Sequence, residues 1–288
     1  MTIPLISGLS DLADNYDALL CDVWGVLHNG QVAYPGVADA LLRFRAKGGT
    51  VLLLSNAPRP STQLPAMLER MGIAGSAYDG ILTSGDATKT FIASHKLGTK
   101  CHSIGPGRDN NLFDDSGVEI VPADDAEFIV VTGPNDDEVE GPEDYRAPFA
   151  PLVDRKLPLV CANPDIVVER GARHIYCAGA LARLYEEMGG TVTYFGKPHG
   201  PIYDVARERL QAIKKKTIPD NRILAIGDGI ATDIKGAAGA GIDSLFISGG
   251  IAAAECGDSP EKPDAAKVTA FCAKAGLSPV AAAGRLNW

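Results

Sequence analysis

The sequence predicts an α/β fold, with a Rossmann-like core built on a parallel sheet and a second α/β domain inserted into that core. Two observations lead to this prediction. Apolar runs of strand length alternate with helix-length segments, which favours parallel strands joined by helical crossovers. The segment between Ser55 and Lys197 is also several times longer than one crossover needs, and it contains strand-like runs of its own. We therefore assign residues 1–86 and 191–288 to the core and residues 87–190 to the inserted domain.

The first part of the chain predicts three strands that alternate with three helices. An apolar run at residues 17–21 ends at Asp22, and Gly25 follows, as is typical of a buried strand that ends in a tight turn. The second strand covers residues 50–54 and ends at Ser55. The third covers residues 80–83, and Ser84 is a suitable cap for the helix that follows it.

After the inserted segment we expect the core to resume. A strand at residues 191–195 ends at Gly196-Lys197, and a strand at residues 222–226 ends at Gly227-Asp228, with Asp233 on the next turn. Helices at residues 231–240 and 265–275 and a strand at residues 244–248 complete the prediction. We expect the tail from residue 255 onward to pack on the core.

Polar side chains end four of the predicted core strands. Because the carboxyl ends of parallel strands meet at one edge of a sheet, we expect Asp22, Ser55, Lys197, Asp228 and Asp233 to converge. A lone Asp at a strand end is most often a turn residue, but this set combines three carboxylates, an ammonium and a hydroxyl. Mg²⁺ prefers oxygen ligands, and an anionic nucleophile approaches a phosphoryl group only when cations are near it. The sequence therefore predicts a site for phosphate and a metal ion.

Four motifs occur here in an order that resembles the haloacid dehalogenase-like hydrolases. They are Asp22-Val23-Trp24-Gly25-Val26-Leu27, Ser55-Asn56, Lys197 and Gly227-Asp228-Gly229-Ile230-Ala231-Thr232-Asp233. Asn163-Pro164-Asp165 and Gly196-Lys197-Pro198 are similar to the branch that contains p-nitrophenyl phosphatases, pyridoxal phosphate phosphatases and nucleotide phosphatases. The resemblance extends from about residue 16 to about residue 250, and four ordered motifs are far more specific than one.

The resemblance implies a magnesium-dependent hydrolase of small phosphorylated metabolites that forms an aspartyl phosphate on Asp22. The inserted domain would be a cap that closes over the site and selects the substrate. We assign catalysis to Asp22, Lys197 and Ser55, and metal binding to Asp22, the backbone carbonyl of Trp24, Asp228 and Asp233. We assign substrate binding to Asn56, Ala57, Asn163, Asp165 and His199.

Trp24 departs from the pattern of the resembled family. Typical phosphatases of that family carry a second Asp two residues after the nucleophile, where it protonates the leaving group and later activates water. The indole of Trp24 has no proton to donate near neutral pH, and the loss of acid catalysis typically costs ~10²–10⁴ in rate. We therefore expect weak activity on poor leaving groups. His28 and His199 are the nearest sequence candidates for a substitute acid, although a His beside a motif is more often structural.

Two other functions remain open at this point. A catalytically weak protein that binds a phosphorylated ligand would also retain these motifs, and Trp24 keeps that interpretation open. A dehalogenase also uses an Asp nucleophile without the second Asp, but it needs no magnesium, so Asp228 and Asp233 argue against it. A magnesium requirement and measured turnover separate the three.

The composition limits the partners and the location. A net charge of −9 argues against binding to the phosphate backbone of nucleic acids. No apolar run reaches the roughly 18 residues of a membrane-spanning helix, and the acidic N-terminal region differs from a secretory signal. The six cysteines form no C-x-x-C pair. We expect a reduced, cytoplasmic protein with no nucleic-acid or membrane partner, and the resembled branch makes a homodimer an expectation.

Overall fold

The computed structural model describes residues 2–170 and 173–288, and its first segment alternates strand and helix as predicted. The elements of this segment are β1 (Ala18–Cys21), α1 (Val37–Ala46), β2 (Thr50–Ser55), α2 (Leu64–Arg70), β3 (Gly80–Thr83) and α3 (Ser84–Ile92). The predicted cap of α3 is wrong by one residue. The hydroxyl of Thr83 accepts from the backbone N–H of Asp86 at 3.0 Å, whereas Ser84 lies inside the helix and donates to the carbonyl of Phe195.

The middle of the chain forms a second α/β unit. Its elements are β4 (Lys100–Ile104), β5 (Glu119–Ile120), β6 (Phe128–Val131), α4 (Arg146–Asp154), β7 (Leu159–Cys161), β8 (Val167–Arg170), β9 (Arg173–Tyr176), α5 (Ala178–Glu187) and β10 (Val192–Tyr194). Strands β8 and β9 pair in an antiparallel hairpin. The other strands form one parallel sheet in the order β10-β7-β6-β4-β5.

The sequence pattern predicted that the strand at residues 191–195 belongs to the core sheet, and this prediction is wrong. Strand β10 pairs in parallel with β7 and not with any core strand, so the second sheet extends past the predicted boundary at residue 190. The predicted boundary at residue 87 falls within α3. Ala87 packs against the core, whereas Ile92 packs against the second sheet, so this helix joins the two units.

The last segment returns to the core. It contains α6 (Gly200–Lys214), β11 (Ile223–Gly227), a π-helical turn (Ile230–Ile234), α7 (Lys235–Ala240), β12 (Asp243–Ile247), α8 (Ala253–Cys256), β13 (Gly257–Ser259), β14 (Lys262–Pro263), α9 (Ala265–Lys274) and β15 (Ala281–Ala283). The helix predicted at residues 231–240 is therefore split into a π turn and a short α-helix. The tail packs on the core as expected, and it also adds β15, an all-alanine strand that the sequence pattern did not indicate.

The core sheet places β1 at its centre. Its six strands are all parallel, in the order β15-β12-β11-β1-β2-β3. Leu19 and Cys21 pack with α1 and α2 on one face, whereas Ala18 and Leu20 pack with α6 and α7 on the other. A strand buried on both faces reads as a continuous apolar run, which explains why β1 was evident from the sequence. The segments that follow β1, β2 and β11 are thus neighbours at one edge.

Two further expectations concern the whole chain. All six cysteines are buried free thiols. Among the described residues, no helix has the length and apolar character that crossing a membrane requires.

Candidate active site

The five side chains predicted to converge do so at the carboxyl edge of the core sheet, where all of them are buried. Asp22 follows β1, Ser55 ends β2, Asp228 follows β11, and Asp233 lies in the π turn. Lys197 reaches the edge by a different route from the predicted one. It lies in the connection between β10 and α6, so the second sheet, rather than a core strand, delivers the lysine.

The ammonium of Lys197 is the centre of the site. Its Nζ lies 2.5 Å from Oδ1 of Asp22 and 2.7 Å from Oδ1 of Asp233. It also donates to the carbonyl of Leu54 at 2.9 Å, so all three of its N–H donors have partners. Burial alone would lower the pKa of Lys197, but the two carboxylates hold that pKa well above its ordinary value. The lysine is therefore a fixed positive charge.

Three buried carboxylates around this lysine form a candidate metal centre. Asp22, Asp228 and Asp233 each offer an oxygen, and these oxygens lie within 4.8 Å of one another. Burial, with the nearby charge of Asp233, raises the pKa of Asp228 to about 7. Burial also raises the pKa of Asp22 well above its ordinary value, although Lys197 opposes that rise. The excess of buried negative charge and the all-oxygen donor set fit a divalent cation such as Mg²⁺.

Two glycines enclose the carboxylate of Asp228. A Cβ atom added to Gly25 or to Gly250 would lie 2.1 Å from Oδ2 of Asp228, so neither position has room for a side chain. Gly25 also has a φ of +86°, which favours glycine. The backbone N–H of Ile251 donates to the same oxygen at 2.8 Å. The carboxylate is thereby held in one orientation. The predicted contribution of the Trp24 carbonyl to the metal site stays a prediction.

The turn after β2 holds the predicted phosphate-binding groups. Ser55, Asn56 and Ala57 all line the same cavity as Asp22. The backbone N–H of Ala57 donates to Oγ of Ser55 at 3.2 Å, and the hydroxyl keeps its own proton for another acceptor. The roles of Ser55 and of the Asn56 and Ala57 amides in binding phosphoryl oxygens stay predictions.

The side chain of Asn56 has a function that the sequence did not indicate. It accepts from the backbone N–H of Lys197 at 2.7 Å and donates to the carbonyl of the same residue at 3.0 Å. It also donates to Oδ1 of Asp165, in the inserted domain, at 2.9 Å. A Cβ at Gly196 would lie 2.5 Å from this amide oxygen. Asn56 therefore fixes the backbone of Lys197 and links it to the inserted domain.

We expect Asn56→Ala to lower kcat about 10²-fold, because small displacements of a catalytic group are costly and the lysine backbone loses both hydrogen bonds. Steady-state kinetics on p-nitrophenyl phosphate would measure this change. Asn221→Ala, at an exposed position, is the matched control. An unchanged kcat in Asn56→Ala would contradict the positioning role.

The predicted substrate residues Asn163 and Asp165 lie after β7 and line the cavity. Oδ1 of Asn163 accepts from the backbone N–H of Asp165 at 3.0 Å, so the Asn side chain stabilises its own turn. Burial, with the charge of Asp233, raises the pKa of Asp165 to about 6, whereas Lys197 and the Asn56 amide oppose the rise. Neither residue's contact with a substrate is tested.

The two histidines proposed as substitute acids have different positions. His28 is completely buried and is not among the described residues that line the cavity. Its Nδ1 accepts from the backbone N–H of Gly30 at 2.9 Å, and burial lowers its pKa to about 4. His28 therefore cannot supply a proton to the cavity, and that candidacy is wrong. His199 does line the cavity, stacked on Tyr194 with ring centroids 5.1 Å apart.

A cavity of about 380 Å³ lies between the carboxyl edges of the two sheets, and its size suits a small ligand. The core contributes the acidic centre, and the second sheet contributes loops after β4, β6, β7 and β10. The β8–β9 hairpin adds an apolar wall. Its cavity-lining side chains include Val167, Val168, Ile175 and Tyr176.

Comparison with known proteins places this site in context. A family model described as haloacid dehalogenase-like hydrolase matches residues 19–119, and a second, for HAD-hydrolase-like proteins, matches residues 194–270. The ribonucleotide monophosphatase NagD of Escherichia coli K12 is 27% identical over 249 residues, which cover 85% of this chain and 93% of NagD.

Two solved structures resemble this fold to different extents. The crystal structure of a hydrolase of the haloacid dehalogenase-like family from Brucella suis 1330 is 44% identical, with a TM-score of 0.87, and the match covers 98% of this chain and 100% of that one. The glycerol phosphate phosphatase Rv1692 of Mycobacterium tuberculosis, solved in complex with calcium, is 22% identical with a TM-score of 0.63. That match covers 83% of this chain and 68% of the other, and it supports the fold alone.

Proposed function

The chain belongs to the haloacid dehalogenase-like hydrolases, and on that basis we propose that it is a magnesium-dependent phosphatase of small phosphorylated metabolites that works through an aspartyl phosphate on Asp22. The observation that carries this proposal is the buried contact of Lys197 with Asp22 and Asp233 beside a third carboxylate, Asp228. Relatives named as phosphatases, including the monophosphatase NagD, support hydrolysis of phosphate esters.

The chain's own residues account for the chemistry of the first step. Lys197 fixes one oxygen of Asp22 and keeps a positive charge beside the reacting phosphoryl group. The carboxylate of Asp22 attacks phosphorus, and the bond between phosphorus and the leaving oxygen breaks. Mg²⁺ bound by Asp22, Asp228 and Asp233 would neutralise charge on the phosphoryl oxygens. Ser55 and the backbone amides after it would donate to those oxygens.

The second step returns the carboxylate. Water attacks the phosphorus of the aspartyl phosphate, the bond from phosphorus to the Asp22 oxygen breaks, and the protons of the water leave with the inorganic phosphate. The carboxylate is a good leaving group, so this step depends less on a proton donor than the first. We infer that Trp24 limits the first step, at a cost of ~10²–10⁴ for substrates whose leaving oxygen needs a proton.

The other two interpretations have less support. A dehalogenase has no need of the Asp228 and Asp233 carboxylates, whose oxygens lie within 4.8 Å of one another and of an Asp22 oxygen in this chain. Only an assay of phosphate release distinguishes a phosphatase from a protein that binds a phosphorylated ligand without hydrolysing it.

We expect the folded, Mg²⁺-loaded protein to release p-nitrophenol from p-nitrophenyl phosphate, because this leaving group departs without a proton. Removal of the metal with EDTA should lower the rate at least 10²-fold, roughly what the loss of several kcal/mol of charge stabilisation produces. Addition of excess Mg²⁺ to the chelated protein is the control, and it should restore the rate. Full activity in EDTA, or no release by the folded and Mg²⁺-loaded protein, would contradict the proposal.

A further inference from the structure

The side chain of Trp24 is held in a fixed position at the cavity. A Cβ added to Gly30 would lie 2.5 Å from Cζ2 of the indole, and Gly30 has a φ of +86°, so this close approach requires glycine. The His28 imidazole meets the indole at 66° with centroids 5.2 Å apart. The half-buried indole lines the same cavity as Asp22, the residue two positions before it. The turn thus presents a preorganised aromatic surface beside the nucleophile.

The opposite side of the cavity is also apolar and aromatic. The hairpin β8–β9 contributes Val168, Ile175 and Tyr176, and the stacked pair of Tyr194 and His199 lies on another wall. An in-line displacement sends the leaving group away from the attacking carboxylate and out of the charged centre. The apolar part of the lining suits a flat ring, and the ion pairs of Asp109 with Arg59 and of Asp137 with Arg108 and Arg170 line another part of the cavity.

Among the described residues that line the cavity, each carboxyl group outside the metal centre has a partner. Asp109 forms an ion pair with Arg59, with Nε and Oδ1 3.3 Å apart. Asp137 forms ion pairs with Arg108 and Arg170. The remaining one is Asp165, which accepts from Asn56. Asp165, whose pKa is raised to about 6, and His199, which lines the same cavity, are the competing sources of a proton for the leaving group, and the test below must separate them from departure without an acid.

From these observations we propose that the substrate is an aryl phosphate, a phosphate ester of an aromatic or heteroaromatic hydroxyl, and that the Trp24 indole binds the ring of the leaving group. This inference rests on the proposed function and names its substrate class. Asp22 attacks phosphorus, the bond from phosphorus to the aryl oxygen breaks, and the electron pair of that bond stays on the aryl oxygen. The aryl oxide leaves without a proton and takes one from water afterwards. A phenol ionises with a pKa of about 10, as in Tyr, far below an alkanol, so this departure needs no acid.

The kinetic test compares phenyl phosphate with glycerol 3-phosphate. We expect the wild-type kcat/KM to be at least ~10²-fold higher for phenyl phosphate, the size of a missing acid. In Trp24→Leu the ratio of the two kcat/KM values should fall about tenfold, mainly through KM for phenyl phosphate, because an aromatic contact is lost. Trp24→Phe should restore most of the ratio. Asn221→Ala, at an exposed position, is the control, and it should leave the ratio unchanged.

A binding test removes the dependence on turnover and on the folding of the Trp24 variants. The chain has two tryptophans, and Trp288 is not among the described residues that line the cavity. In the double variant Trp288→Phe with Asp22→Asn, Trp24 is the sole tryptophan and the nucleophile is absent. We expect phenyl phosphate with Mg²⁺ to change the emission of Trp24, and glycerol 3-phosphate to leave it unchanged.

The outcomes separate the two proposals. If no phosphate ester is hydrolysed, the proposed function fails, and the emission titration alone decides whether Trp24 binds an aryl phosphate. If p-nitrophenyl phosphate is hydrolysed but the selectivity ratio is the same in Trp24→Leu, or the emission is unchanged by phenyl phosphate, the aryl phosphate inference is wrong. Rapid turnover of glycerol 3-phosphate that is lost in Asp165→Asn or in His199→Phe would also overturn it and would identify the substituted residue as the proton donor.

Discussion

Replacement Asp22→Asn is expected to abolish phosphate release, with a loss of roughly 10⁴-fold or more, as for the removal of other enzyme nucleophiles. An amide has no anionic oxygen to attack phosphorus, and it also removes one of the three carboxylates of the metal centre. Release of inorganic phosphate under saturating p-nitrophenyl phosphate measures the effect. Asp39→Asn, which removes an exposed carboxylate from a surface ion pair, is the matched control and should keep its rate.

The same variant should remain folded. Because burial raises the pKa of Asp22 well above its ordinary value, its negative charge is unfavourable in the metal-free protein. We therefore expect the melting temperature in EDTA to equal or exceed that of the wild type, and the stabilisation by Mg²⁺ to be smaller. Turnover above a tenth of the wild-type rate would rule out Asp22 as the nucleophile.

Replacement Lys197→Met is expected to have the largest effect on stability. The ammonium contacts both Asp22 and Asp233, and all three side chains are buried. Without it the buried carboxylates repel one another, and the loss of one partner of a buried ion pair typically costs about 3–5 kcal/mol in the free energy of unfolding. The variant should also lose activity, because the charge beside the nucleophile is gone.

Urea unfolding in EDTA measures this loss, with Lys274→Met, at an exposed position in α9, as the control. Added Mg²⁺ should recover part of the lost stability, since a cation in the carboxylate cluster replaces part of the missing charge. A free energy of unfolding within about 0.5 kcal/mol of the wild type, the usual range for surface substitutions, would show that the ion pair contributes little.

Asp22 and Asp228 could be predicted from the sequence because each follows a short apolar run. Strands β1 and β11 are buried on both faces, so their sequences are continuously apolar and their ends are clear. Asp22 and Asp228 mark those ends. Parallel neighbours end at the same edge, so a linear pattern was enough to predict that these carboxylates meet.

The roles of residues that contact distant segments of the chain could not be predicted from apolar runs. The periodicity of β10 indicates a strand, but it does not say which sheet accepts it, and only pairing with β7 shows that the second sheet delivers Lys197. The amide of Asn56 joins segments more than a hundred residues apart in the chain. His28 was a candidate acid until its burial removed it.

The sequence by itself thus determined the fold class, the residues at the strand ends and the absence of a carboxylate at Trp24. Those features are local, since they follow from apolar periodicity and from the identity of single side chains. The tertiary structure decided which sheet each strand joins, which polar groups are satisfied by one another and which line the cavity. These depend on hydrogen bonds and burial between segments far apart in the chain, which no local pattern encodes.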